Sequence, residues 1–166
     1  MSEAWLNFSI VVFIQLLFFI IHAYYSKKLS DAWRILGLGI LIGMMVGLFS
    51  DLVLGKFFGL WSYTLGFGAL SLILSAAFVY GLLVANTLLM QRARLSHFFV
   101  WTMIVGAVYE ISNYFFHVWT YEFVLSPTGF LIFLLIGYFG TAIVIAIISH
   151  VFIGRRFFFI KNLLKK

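Results

Sequence analysis

Apolar residues along this chain run in long unbroken blocks, and polar residues collect in the short stretches between them. Five blocks stand out, at about 4–25, 35–54, 65–90, 98–118 and 129–153. A bilayer core of about 30 Å is crossed by about 20 helical residues at 1.5 Å each, so every block predicts a transmembrane helix. A membrane β-barrel would instead alternate with period two, which none of the blocks does. The first block exceeds the apolar core of a signal peptide and follows Glu3 rather than a basic segment. A retained helix is expected there.

Composition turns this pattern into a class. Of 166 residues, 64% are hydrophobic and 10% charged, too few charges to coat a water-soluble globule, where roughly a quarter is usual. The absence of cysteine excludes a disulfide scaffold, a thiolate metal site and a cysteine nucleophile. The sequence has no phosphate-binding loop, nucleophile elbow, dinucleotide fingerprint or HExxH pair. The expected fold is all-α: a polytopic membrane protein with five transmembrane helices over 1–154 and a basic tail at 155–166.

Charge orients the chain. Lys27, Lys28 and Arg34 follow the first span, Arg92 and Arg94 the third, and Arg155, Arg156, Lys161, Lys165 and Lys166 the fifth. Five crossings put these clusters on one side and leave Lys56, Glu3 and Glu122 on the other. The positive-inside rule then places the N-terminus outside and the C-terminus in the cytoplasm of a cell (inner) membrane. Basic residues so arranged meet anionic lipid headgroups, and no nucleic-acid partner is expected. A bundle this small is expected to form a homo-oligomer or to join a membrane complex.

Polar residues inside the spans mark the inward faces. Asn7, Gln15 and His22 share one side of the first helix. Gly39, Gly43, Gly47 and Asp51 follow at steps of four on the second, a small-residue ridge ending in an acid. Ser71, Ser75 and Asn86 lie on the third, and Gly106, Glu110, Asn113 and His117 step along the fourth. Gly137, Thr141 and His150 lie on the fifth. Depth sorts Asn7, Asp51, Ser71, Glu110 and Asn113 to the outer side, and His22, Asn86, His97 and His150 to the inner.

Asp51 and Glu110 are the only acids inside the apolar spans. An acid at a helix centre costs about 2.5–3.5 kcal/mol on insertion scales, so each needs compensation. A carboxyl that carries a proton in an apolar pocket suits acid–base chemistry on a hydrocarbon, and equally proton coupling in a carrier. Interhelical hydrogen bonding is a third role open to both. Nine or ten residues after each acid comes Trp-x-Tyr, at Trp61–Tyr63 and Trp119–Tyr121. The recurrence reads as a weak parallel repeat of a helix pair, although aromatics at headgroup level are also an ordinary membrane belt. Asp51, Glu110 and Asn113 are therefore the candidate catalytic residues. Trp61, Tyr63, Trp119, Tyr121, His117 and Asn7 are the candidate substrate contacts.

The run Asp51-x3-Gly55-x2-Phe58-Gly59-Leu60-Trp61-Ser62-Tyr63, followed by an apolar helix, resembles the repeat unit of membrane carotenoid enzymes, the lycopene cyclase-type domains and related carotenoid hydratases. Glu110 with Trp119 and Tyr121 would be the second copy. The chain departs from the cyclase-type unit in lacking Pro-Leu-Glu-Glu, since Pro127 is followed by Thr128-Gly129. The resemblance implies an all-helical enzyme that protonates a polyene, with the carboxyls as acid and base and no redox cofactor consumed.

Three functions stand: an enzyme acting on an apolar lipid or isoprenoid-like substrate, a small transport or binding subunit coupled to protons or ions, and a non-catalytic membrane scaffold. The first is preferred. No cofactor is expected, with His22, His97 and His150 the residues that would hold a haem or a metal were one bound. Since the chain has no cysteine, single cysteines at Ser30 and Ser96 should react with an impermeant maleimide only from the cytoplasmic side, and one at Lys56 only from outside. The reverse labelling would overturn the orientation.

Overall fold

The computed structural model describes residues 2–66, 68–122, 126–152, 157 and 160. Five of its helices are long and apolar enough to cross a membrane. They are α1 (Glu3–Tyr25), α2 (Leu29–Phe57), α3 (Ala69–Leu89), α4 (Leu95–Phe116) and α5, from Pro127 to Phe152. Most edges fall within a few residues of those expected. The exception is α2, which gains a 3-10 turn at Leu29–Asp31 and a π-helical turn at Asp51–Phe57. The 155–166 tail lies outside the described residues apart from Phe157 and Ile160. Both of these are buried, and Phe157 packs edge-on against Phe98 of α4.

Among the described residues the helices are joined by one short extended element that the sequence did not disclose. At one end of the bundle the two interhelical loops pair as antiparallel strands, β1 (Trp61–Tyr63) and β2 (Trp119–Tyr121), with Ser62 opposite Thr120 at the centre. Gly59 and Gly66, on either side of β1, take φ values of 64° and 71° that only glycine adopts cheaply. His117 also corrects the sequence reading. It is the left-handed residue that stops α4, not a further position on its polar face. On α5, Ser126 accepts a hydrogen bond from the Gly129 amide and Pro127 opens the helix, a local start signal.

Helix α3 is the centre of the bundle, with every residue from Gly81 to Met90 buried. The glycine ridge of α2 is what lets the two helices approach. A Cβ on Gly39 would lie 2.6 Å from Ala85 Cβ and 2.7 Å from the Gly81 carbonyl, and one on Gly43 would overlap the Gly81 backbone. At the far end from the ribbon, Lys28 Nζ donates to the Leu89 carbonyl at 2.9 Å, satisfying a C-terminal group of α3. Three helices each contain a π-helical turn, at Asp51–Phe57, Ser75–Tyr80 and Leu134–Gly140. Such turns add a residue to the helical repeat and re-aim the side chains they carry.

The ridge makes a paired prediction. Gly43→Ala should abolish or sharply reduce folded protein, because backbone lies on both sides of the new methyl and neither side can yield. Gly37→Ala, with nothing within 4 Å of its Cβ, should be neutral or stabilising by up to ~1 kcal/mol. Thermal unfolding in detergent, followed by size-exclusion chromatography, reads both.

Candidate functional site

Asp51 lies one turn beyond Gly47 on α2, and Glu110 one turn beyond Gly106 on α4. Each glycine makes room for a tyrosine from the next helix. A Cβ on Gly47 would lie 2.7 Å from Tyr80 Cδ2, and one on Gly106 would lie 2.8 Å from Tyr138 Cγ. With each ring held against the glycine, its hydroxyl reaches the acid one turn along. Tyr80 donates to Asp51 Oδ1 at 3.2 Å and Tyr138 to Glu110 Oε1 at 2.6 Å.

The ribbon supplies the second tyrosine of each set. Tyr63 donates to Asp51 Oδ1 at 2.8 Å, and Tyr121 to Glu110 Oε1 at 2.7 Å. Trp61 Nε1 reaches Asp51 Oδ1 directly at 3.3 Å, while Trp119 Nε1 donates to the Tyr121 hydroxyl oxygen at 3.1 Å. The two Trp-x-Tyr segments therefore hydrogen-bond their acids, a task beyond that of a headgroup belt. Strand register brings the two sets together, placing Trp61 opposite Tyr121 and Tyr63 opposite Trp119.

The halves are not equivalent. Asp51 is wholly buried and takes a fourth donor, Ser75 Oγ, on Oδ2 at 2.6 Å. Both its oxygens are engaged. Glu110 is 6% exposed, and both its donors fall on Oε1, leaving Oε2 without a hydrogen bond among the described residues. Glu110 also borders an open depression of about 480 Å³. Asn113, His117, Trp119 and Tyr121 line it together with Ile111, Tyr114, Phe115 and Phe130. Asp51 does not line it.

The other candidates divide. Asn113 faces the depression, but its amide is engaged with one peptide unit: Nδ2 donates to the Trp119 carbonyl and Oδ1 accepts from the Trp119 amide, both at 2.8 Å. That clamp holds β2 where Tyr121 can reach Glu110. Asn7 is half-buried on α1 and is not among the residues lining the depression. Lys56 is exposed. His22 bonds Asn86, His97 is exposed and His150 Nδ1 accepts from the Phe157 amide. Among the described residues no three His, Asp or Glu side chains group as a metal site would require.

Tyr80, Tyr138 and Ser75 were not candidates in the sequence. The tyrosines carried a usable signal, since Tyr63 to Tyr80 and Tyr121 to Tyr138 are each seventeen residues apart. A scan against family models, a search of curated proteins and a search of solved structures each returned no match. Geometry alone therefore defines the class: a five-helix bundle with two buried carboxyls, each held by a pair of tyrosines.

Burial raises the Tyr63 hydroxyl well above the usual tyrosine range, with Tyr80 and Asp51 pushing the same way. Burial and then Glu110 raise Tyr121 likewise, with a smaller push from Tyr80 of the other half. Both hydroxyls stay protonated donors at any physiological pH. An unfolded chain releases these protons near pH 10 and the folded one keeps them, so stability should fall as pH rises above about 10. Tyr63→Phe and Tyr121→Phe should each flatten that fall. Each variant should also show the same tyrosinate absorbance as the parent at pH 11, and a lower value would disprove the assignment.

Proposed function

We propose that this chain is an integral membrane enzyme that performs acid–base chemistry on an apolar, isoprenoid-like substrate, with Glu110 as the proton-transferring residue. The observation that carries the reading is Glu110 Oε2, which has no hydrogen bond among the described residues and lies on a side chain that borders the depression. Ile111, Tyr114 and Phe115, on the rim of that depression, are more than half exposed. In a helix of this apolarity they face the acyl region, so a hydrocarbon substrate enters sideways from the bilayer. The resemblance of the two acid–Trp-x-Tyr units to membrane carotenoid enzymes supports a polyene.

The chemistry follows from the donors. Glu110 passes a proton from Oε2 to one carbon of a double bond, leaving a carbocation on the other. Tyr121 and Tyr138 donate to Oε1 and so hold the carboxylate that remains. Loss of a proton from a neighbouring carbon back to Glu110 completes an isomerisation or ring closure with no net oxidation. Asp51, with both oxygens hydrogen-bonded, keeps the ribbon and α3 in place. Asn113 acts as a positioning residue through Trp119. The ribbon end lies on the non-cytoplasmic side in this reading.

The parallel repeat also favours a second reading, a proton-coupled carrier, because repeats of this kind build transport sites at their interface. One set of variants separates the two. With an acyclic polyene in vesicles, Glu110→Gln should lower product formation by about 10²-fold or more while folded protein stays normal. Asp51→Leu should instead lose folded protein, since removing the acceptor leaves four buried donors unpaired at about 1–3 kcal/mol each. Full conversion by Glu110→Gln would reject the enzyme, and proton-linked uptake lost in that variant without any product would favour the carrier.

A further inference from the structure

A second polar site lies inside the bundle toward the end away from the ribbon, on side chains that play no part in the acid chemistry. His22 of α1 is fully buried, and its ring stacks on Trp101 of α4 with centroids 4.3 Å apart and planes 11° from parallel. Its Nδ1 lies 2.8 Å from Asn86 Oδ1 of α3, while Asn86 Nδ2 donates to the Leu82 carbonyl at 2.9 Å. The second bond fixes which way the Asn86 amide faces, so Oδ1 is the acceptor and His22 Nδ1 must carry the proton. In the neutral ring Nε2 is then a bare lone pair. Nε2 is buried and has no partner among the described residues.

Gln15 sits seven residues earlier on the same face of α1, about 10 Å along the axis by helical rise. It too is fully buried, and neither atom of its amide has a partner among the described residues. Leaving such groups unmade costs about as much as a lost hydrogen bond each, so native interiors normally satisfy them with protein or with bound small molecules. Phe18 and Trp101 pack beside the ring, and Lys28, a charge close enough to act on it, donates to Leu89. The surroundings favour a neutral ligand.

We infer that the junction of α1, α3 and α4 binds small neutral O–H donors, with His22 Nε2 accepting one hydrogen bond and the Gln15 amide completing the set. Water and the hydroxyl of a lipid alcohol share this chemistry. The test is solid-state NMR on the full chain, labelled with ¹⁵N-histidine, in vesicles of phosphatidylcholine, which has no hydroxyl. His22 should be neutral with the proton on Nδ1. Its Nε2 shift should move from that of a free lone pair toward that of a hydrogen-bond acceptor, with polarisation transferred from water protons. Should that signal appear only after a long-chain alcohol is added, the lipid hydroxyl is the ligand. The Gln15→Leu variant should lose at least half of the transfer while the Asn86 contact persists. A free-lone-pair shift with no transfer under either condition, or a proton found on Nε2, would overturn the site.

Discussion

A carboxyl group inside so apolar a bundle has to be met by donors that the fold itself delivers, and much of the architecture at the ribbon end follows from that need. Among the described residues no cation pairs with Asp51 or Glu110, so hydroxyl and indole groups take the place of counter-charges. Hydrogen bonds to a charged acceptor contribute about 1.5–3 kcal/mol each, enough for two to four of them to offset much of the cost of burying an acid. Tyrosine suits the task because its ring is at home in an apolar interior while its hydroxyl reaches a polar atom.

Delivering those hydroxyls accounts for features that look unrelated. Gly47 and Gly106 are small so that Tyr80 and Tyr138 can lie against the helix. The ribbon exists at the spot where Tyr63 and Tyr121 must be held in register, and Asn113 fastens its second strand. Each π-helical turn contains a member of the networks: Asp51 in the first, Ser75 and Tyr80 in the second, Tyr138 in the third. The widened turn at Ser75–Tyr80 also leaves the Val79 carbonyl to accept from Tyr109, tying α4 to α3.

The pseudo-repeat is physical as well as textual, yet its two halves have diverged where function would show. Aspartate is short and sits enclosed by four donors; glutamate extends farther, keeps two donors and reaches the edge of a depression. One methylene, one serine and one direct indole bond separate an acid with both oxygens engaged from one whose second oxygen has no donor among the described residues. The same bundle treats its far end differently, where His22 and Gln15 are buried with less than their full complement of partners among the described residues.

Sequence by itself determined the number of helices, their approximate edges, the glycine ridge and the two acids with their trailing Trp-x-Tyr segments. Those features are local or periodic: apolar length follows bilayer thickness, and a step of four marks one helical face. Tertiary structure decided the rest. That β1 pairs with β2 depends on residues far apart in the chain and on strands too short to have a pattern. That Tyr80 and Tyr138 serve the acids depends on helix approach distances, which a tyrosine in an apolar run does not disclose. His117 read as one more step on a helical face until its left-handed backbone ended the helix. Periodicity records which way a side chain faces, and only packing decides what it meets there.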